Sequence, residues 1–414
     1  MNTIGIIAEF NPFHNGHLHL IETSKKALSA DRCIVIMSGD FVQRGAPAVV
    51  DKFTRTKMAL NCGADVVIEL PVYYALASAE FFARGAVSIL DKLGCVDYLC
   101  FGSECCDLDF LTDAARILND EPDSFRDVLG KGLKMGKSFA SAREKALLSC
   151  LKKEPSKDAF ENADETASYS ILSEPNNILA VEYIRALLDR NSMIKPYTIK
   201  RQGEGYHSGE ISEFSSASAI RSGILNNNSL ALKHSLPEVC FSLLNDYEGS
   251  FADTNRLSPL LNYKLLSEKT DGFSKYLDVT EDISNKIVAA LESFERFDEF
   301  CKTLKSKDLT YSRISRVLCH ILLNITASGM DDYRSDGFTA YARILGMKKA
   351  SSDIVKTMRE SSKIPVIGNL KEATSADLTS LQNRLLDETL SASRIYWKIY
   401  RDTNLNEYKS FMLI

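Results

Sequence analysis

Long apolar runs are missing from this sequence. No stretch reaches the about 18 residues that a membrane-spanning helix needs, so no membrane span is expected. A strong excess of one charge sign is missing too: 50 Lys and Arg stand against 55 Asp and Glu, a formal net charge of −5. That excludes a generic polyanion-coating protein, while leaving room for a local basic surface. The N-terminus lacks a basic segment followed by an apolar one and a small-residue cleavage site, so a cytoplasmic location is expected. Ten cysteines occur without a CxxC pair, and the one close group, Cys100, Cys105 and Cys106, has no nearby histidine. They read as reduced thiols acting as small hydrophobes. There is no HExxH, no tight Cys/His cluster and no GxxxxGK[ST]. Gly130, Gly132 and Gly136, with lysines between them, therefore read as ordinary turns, and no metal held by the protein alone is expected. No internal repeat of fixed period is visible.

What is present begins with Thr3 to Ile21, TIGIIAEFNPFHNGHLHLI. An apolar run, Ile4 to Ala8, reads as a strand. The chain breaks at Asn11-Pro12 and resumes as a helix near Asn15 or Gly16. His14 and His17, three apart, share one face there. A strand that feeds a helix N-terminus through a tight turn makes an anion site, with free backbone N–H groups and the positive end of the helix dipole. Gly16 allows close approach of a ligand. From the residues alone the pair reads either as a phosphate or nucleotide site or as a metal pair or surface coincidence.

Strands and helices then alternate. Arg32 to Met37, Asp65 to Leu70, Val96 to Phe101 and Pro196 to Arg201 read as strands. Lys52 to Cys62, capped by Asp51 and stopped by Gly63, and Tyr74 to Leu93 read as helices. The pattern predicts a Rossmann-like α/β domain over residues 1–225, a parallel sheet covered on both faces. Its ligand should lie beyond the C-terminal strand ends. The polar loops at those ends are Asn11 to His17, Ser38 to Arg44, Gly102-Ser103-Glu104, and Gln202 to Gly209 with Tyr206 and His207. Lys52 and Arg55 share a helix face and either reach a triphosphate or are the routine basic residues of an exposed helix. Residues 106–170 read as a helical insertion. Ser216 or Ser218 can cap a further helix, and Arg221 adds a guanidinium fork suited to phosphate.

Residues 226–414 read as all-helical, including Pro237 to Leu244, Tyr311 to Thr326, Ala340 to Leu345 and Ala392 to Tyr400. Between Phe300 and Tyr400, sixteen Lys or Arg face ten Asp or Glu. Arg313 with Arg316, and Lys348 with Lys349, near Tyr311 and Tyr341, form a candidate surface for an RNA backbone, set against a helix surface laced with ordinary charges.

FHNGH after the first strand resembles the HxGH signature of the nucleotidyltransferase superfamily. Ser216-Ala217-Ser218-Ala219-Ile220-Arg221 resembles its second signature, SSTxxR, with Ala217 replacing the second serine. In order along the first 225 residues, IIAEFNPFHNGH, SGDFVQRG, DKFTRTKMAL, DVVIELPVYYA, FGSE, SEPNNILAVEYIRAL, IKRQGEGYH and SASAIRSG resemble the tRNA(Met) cytidine acetate ligase family. The helical tail resembles that family more loosely. The resemblance implies an enzyme that joins acetate to AMP from ATP and passes the acetyl group to N4 of the wobble cytidine of elongator tRNA(Met). It implies ATP contacts at Ile7, Ala8, Glu9, Phe10, Asn11, Pro12, Phe13, His14, Asn15, Gly16, His17, Leu18, His19 and Leu20, and at Gly102, Asn176 (against its neighbour Asn177) and Arg201. Catalytic roles fall on His14, His17 and Arg221. Lys52, Arg55 and Ser218 are candidate phosphate contacts, and Arg313, Arg316 and Lys348 candidate RNA contacts. Mg2+ bridging the phosphates is expected. The alternatives are a small-molecule adenylyltransferase and a non-catalytic nucleotide- or RNA-binding protein.

Overall fold

The computed structural model describes residues 2–137, 139–151, 174–202, 214–226, 232–373, 376–401, 407 and 410–414. The chain opens with β1 (Thr3–Ala8), α1 (Asn15–Ala27) and β2 (Arg32–Ser38). A small antiparallel hairpin, β3 (Phe41–Val42) and β4 (Ala46–Pro47), precedes α2 (Lys52–Asn61) and β5 (Val66–Leu70). Next come α3 (Val72–Ala75), α4 (Ala79–Leu93) and β6 (Tyr98–Ser103). The single helix expected from Tyr74 to Leu93 is thus two, because Ser78 turns extended and caps α4 by accepting from Phe81 N.

Three helices, α5 (Leu108–Asp120), α6 (Asp123–Lys134) and α7 (Phe139–Cys150), form the expected insertion before α8 (Pro175–Asp189), β7 (Lys195–Lys200) and α9 (Ala217–Leu225). Phe110, Leu111, Ala114, Ala115 and Leu118 of α5 join the main core. The insertion is therefore packed in rather than appended. The segment from Lys152 to Asp158, which reads in the sequence as a charged connector, and the loop carrying Tyr206 and His207 lie outside the described residues.

The C-terminal half supplies α10 (Glu238–Asn245), α11 (Ser258–Glu268), α12 (Glu281–Ala290), α13 (Phe297–Leu304), α14 (Tyr311–Leu323) and α15 (Ala327–Ser335). It continues through β8 (Ala342–Met347), α16 (Ser352–Ser361), β9 (Val366–Ile367), α17 (Leu370–Ala373), α18 (Ser380–Tyr400) and β10 (Met412–Leu413). The all-helical expectation is corrected here: this half is largely helical, but three of its strands extend the N-terminal sheet. Ala340 to Leu345, read as helix, is mostly strand. Its apolar run is too short to separate the two periods, and pairing with β5 decides the outcome.

The sheet runs β10-β8-β5-β2-β1-β6-β7, with β9 on β8. From β5 to β7 every pairing is parallel, while β8 is antiparallel to β5. Successive residues of β2 alternate between two cores, Ile34 and Ile36 on one face and Cys33, Val35 and Met37 on the other. Such two-sided burial is what a helix-covered parallel strand requires. Both cores contain residues from either side of position 225. The chain moves outward from β1 to β2 and β5, then returns to the other side of β1 for β6 and β7. The order reverses between β1 and β6, and ligands of open α/β sheets bind at the carboxyl end of that gap.

Candidate active site

The turn from β1 to α1 places two imidazoles at this reversal. His14 is the N-cap of α1, and its Nδ1 accepts from Gly16 N at 3.1 Å. His17 Nδ1 accepts from His14 N at 3.2 Å. The rings stack with centroids 3.7 Å apart. A backbone N–H can only donate, so each Nδ1 is an acceptor, and in a neutral ring the proton must reside on Nε2. Burial, reinforced by the charges of Arg201 and Arg221, depresses His14 to about 3. Burial, then His14 and Arg201, holds His17 well below the usual histidine range. Both rings are neutral Nε2–H donors at working pH. Gly16 is required by this packing, since a Cβ there would sit 2.9 Å from His14 Cε1.

The free backbone N–H groups expected at the start of α1 are already partnered. Asn15 N donates to Ser235 O at 3.1 Å, and Gly16 N to the His14 ring. The turn thus offers imidazole donors in place of backbone donors.

A cavity of about 490 Å³ opens over the pair. Of the fourteen residues from Ile7 to Leu20, it is lined by Ile7, Ala8, Glu9, His14, Gly16, His17, His19 and Leu20. The other six build the turn from behind. Phe10 and Phe13 are fully buried, with rings 4.8 and 5.5 Å from His17. Asn11 Oδ1 accepts from Val49 N at 2.7 Å, and Asn15 Nδ2 donates to His234 O at 2.8 Å. Pro12 is buried, and Leu18 packs against the smaller core.

Opposite the pair, Gly102, Asn176, Arg201, Ser218 and Arg221 line the cavity. Of the two asparagines, Asn176 is the one that lines the cavity. Its Oδ1 accepts from Arg201 NH1 at 2.9 Å, whereas Asn177 is fully buried and accepts from Glu104 N and Cys105 N. Arg221 NH1 donates to Asn11 O at 2.9 Å and NH2 to Ser218 Oγ at 3.2 Å, fixing its fork. Ser216, not Ser218, caps α9.

Several expectations are overturned by depth. Lys52 and Arg55 are fully buried and cannot reach a ligand. Lys52 Nζ pairs with Glu69 at 2.7 Å and Glu407 at 3.0 Å. The Arg55 guanidinium donates to the carbonyls of Val50, Glu9, Ser38 and Gly39, so it supports the loop behind the site. Arg313, Arg316 and Lys348 do not form one patch. Arg316 lines the cavity and Arg313 stands half-buried on the same helix. Lys348 N instead bonds to Asp65 O, at the N-terminal end of β5 and the far end of the sheet. Tyr341 is fully buried.

The sequence places Glu104, Gln43 and Arg44 at the crevice only as parts of their loops, and gives Lys200 and Ser312 no role. Glu104 Oε2 accepts from Asn177 N at 2.8 Å and Oε1 from Asn176 Nδ2 at 2.5 Å, so it caps α8 and holds Asn176 toward the cavity. Its signal was the FGSE segment at the end of β6. Among the described lining residues Arg44, Lys200, Arg201, Arg221 and Arg316 stand against one carboxylate, Glu9. The cavity is built for anions.

An open α/β sheet with neutral imidazole donors and convergent arginines at its switch point defines a nucleotide-binding protein of the nucleotidyltransferase class. The chain belongs to the HIGH Nucleotidyl Transferase family, whose model matches residues 1–410. It is 39% identical over 398 residues to the tRNA(Met) cytidine acetate ligase of Clostridium perfringens, covering 96% of this chain and 95% of the relative. It is 42% identical over 376 residues to that of Clostridium kluyveri, covering 89% and 90%. The crystal structure of Thermotoga maritima TmcAL bound with alpha-thio ATP superposes with a TM-score of 0.89 at 32% identity, covering all of both chains. The apo form of that protein gives 0.91.

Proposed function

We infer that this chain catalyses the ATP-dependent acetylation of N4 of the wobble cytidine of elongator tRNA(Met). The observation that carries the reading is the pair of neutral imidazole donors facing Arg201 and Arg221, in a chain matched over nearly its whole length by acetate ligases. An acetate oxygen attacks the α-phosphorus of ATP, the bond to the bridging oxygen breaks, and pyrophosphate leaves. Charge grows on the non-bridging oxygens and on the leaving group. Nε2–H of His14 and His17 donate to the former, and Arg221 with Arg201 holds the latter. A proton-accepting residue is not required for this step, which suits imidazoles whose Nδ1 atoms are occupied.

In the second step the exocyclic amine attacks the acetyl carbonyl, the bond from that carbon to the phosphate oxygen breaks so that AMP leaves, and the nitrogen passes a proton to water. The cytosine must leave its stack to enter the cavity. Mg2+ fits as an ion carried on the phosphates. Among the described residues no group of three His, Cys, Asp or Glu could hold a metal, and Glu9 is the one carboxylate at hand; when bound, the ion would neutralise pyrophosphate charge. No helix among the described residues is long and apolar enough to cross a membrane. A cytoplasmic location suits substrates such as ATP and tRNA.

The test is ATP–pyrophosphate exchange with and without acetate, followed by nucleoside analysis of tRNA(Met) for N4-acetylcytidine. Acetate-dependent exchange and acetylated cytidine are expected. Exchange indifferent to acetate, with a stable adenylylated small molecule as product, would assign the site to a small-molecule adenylyltransferase.

A further inference from the structure

The group out of keeping with this cavity is Glu9. It is the one carboxylate among the described lining residues, which include Arg44, Lys200, Arg201, Arg221 and Arg316. Acetate and the phosphates of ATP bring only acceptor oxygens, and a carboxylate repels both. An anionic acceptor in such a place serves a donor. The donors that the substrates of the acetyl-transfer reading bring are exocyclic amines, N6 of adenine and N4 of cytosine, and ribose hydroxyls.

Glu9 is held in place rather than left to swing. Its carbonyl accepts from Arg55 NH1 at 2.7 Å, and its Oε1 from Gln43 N at 2.9 Å. Phe10 follows with φ +45, a left-handed conformation that a bulky residue takes only where its surroundings impose it. The Phe10 ring is fully buried against Phe13 and His17. Oε1 is thus occupied, whereas Oε2 has no hydrogen-bond or ion-pair partner among the described residues, and the half-buried side chain lines the cavity.

Strand order decides which amine Glu9 meets. β1 lies between β2 and β6. On the β6 side, Gly102 at the end of β6, Arg201 just past β7 and Asn176 in the first turn of α8 line the cavity, and there the family resemblance puts ATP contacts. Gln43 belongs to the other side. It lies in the β3–β4 hairpin that follows β2, and Ser315 of α14 braces that hairpin by donating to Gly45 O at 2.6 Å. Glu9 is therefore bonded to the β2 side. The imidazole pair that receives the α-phosphate follows β1 itself. A base that reaches the acetyl group from the side away from adenosine meets Glu9.

We propose that Glu9 receives the exocyclic amine of the incoming wobble cytosine. Oε2 accepts one N4–H, which sets the amine toward the acetyl carbon and tells cytosine from uracil, whose O4 is itself an acceptor. As the bond from N4 to the carbonyl carbon forms, the bond from that carbon to the phosphate oxygen breaks, and AMP leaves with the electron pair. The proton that the nitrogen sheds passes to Oε2 and from there to water. This deepens the acetyl-transfer reading above and rests on it.

Glu9→Gln keeps the length of the side chain and an oxygen for Gln43 N, but turns the cavity-facing acceptor into an N–H donor. Three measurements test the proposal. They are acetate-dependent exchange without RNA, single-turnover acetyl transfer, and filter-binding competition, without acetate, between tRNA(Met) transcripts carrying cytidine or uridine at the wobble position. Wild type should prefer the cytidine transcript by about fivefold or more. Glu9→Gln should keep exchange and its KM for ATP within about twofold, slow transfer by about 10²-fold or more, and lose or invert the transcript preference. A raised KM for ATP or a raised Mg2+ requirement in exchange would give Glu9 to the nucleotide and overturn the proposal. So would transfer at the wild-type rate, or a wild type that binds both transcripts equally. Should Glu9→Gln not fold, the wild-type competition decides. A wild type that makes no N4-acetylcytidine removes the ligase reading; the competition, which needs no turnover, still judges Glu9.

Discussion

His14 and His17 are donors because their own backbone makes them so. The HxxH spacing after a strand was legible, and it located the site. Which nitrogen faces the substrate was not, because that depends on Nδ1 being occupied by the N–H groups of Gly16 and His14. Lys52 and Arg55 show the opposite limit: spacing put them on one helix face correctly, but spacing says nothing of depth, and both are fully buried. His17→Ala should lower acetate-dependent exchange by about 10²–10³-fold, the usual loss for one preorganised donor, with tRNA affinity within about twofold of wild type. Equal losses in both would place His17 in the RNA interface. A pH effect follows as well. His14 titrates at about 3 when folded and near the ordinary 6.5 when unfolded. Between those values the unfolded chain binds more protons, so stability is full above pH 6.5 and is lost as pH falls toward 3. Asp40, pushed up by burial to about 6, acts with the opposite sign, but it is common to both proteins in a comparison with His14→Asn. Chemical denaturation from pH 7.5 to about 4.5 should therefore show a steeper fall for wild type than for His14→Asn.

At the scale of elements, the site depends on how α8 begins. Pro175 at the first position opens the helix, but Glu174 gives no side-chain cap. Glu104, reaching across from the end of β6, takes that role and bonds both Asn176 and Asn177. The strand and the helix were each readable from periodicity, and the polar loop at Gly102-Ser103-Glu104 was placed at the crevice edge. The pairing between them was not readable, because residues 72 or more positions apart meet only after the sheet forms. Glu104 is thus a positioning residue: it holds Asn176, whose Oδ1 in turn holds Arg201. Glu104→Ala should raise the Kd for ATP about tenfold, the loss of one charge-assisted network of about 1.5 kcal/mol, while kcat at saturating ATP changes less. Isothermal titration of ATP together with saturation kinetics separates the two. A collapse of kcat with Kd unchanged would mean that Glu104 acts on the reacting atoms themselves.

The whole molecule is one sheet that the C-terminal half completes. A boundary near residue 225 looked natural because strands gave way to helices in the sequence, and ARILGM was too short to reveal β8. Three-dimensional pairing crosses that position, and so does a buried set of charges. Glu69 on β5 bonds Lys52 of α2 at 2.7 Å and Arg343 of β8 at 2.6 Å. Glu407, near the C-terminus, bonds the same two cations, and Ser393 of α18 accepts from Lys52 at 2.8 Å. Two cations and two carboxylates thus close a ring with side chains at most 6% exposed, and Asp40 adds a further buried carboxylate 3.9 Å from Lys52 Nζ. Such a ring adds little net stability over an apolar core, but breaking it strands a buried charge. Glu407→Gln, which leaves Arg343 facing Glu69 alone, should lower the unfolding free energy by about 3 kcal/mol with an unchanged urea m-value. Arg343→Met in the same chain should restore part of that loss, because the cation left with a single carboxylate is then gone. If the two substitutions add instead, the ring is four independent contacts, and the C-terminal segment is held to the sheet by apolar packing alone.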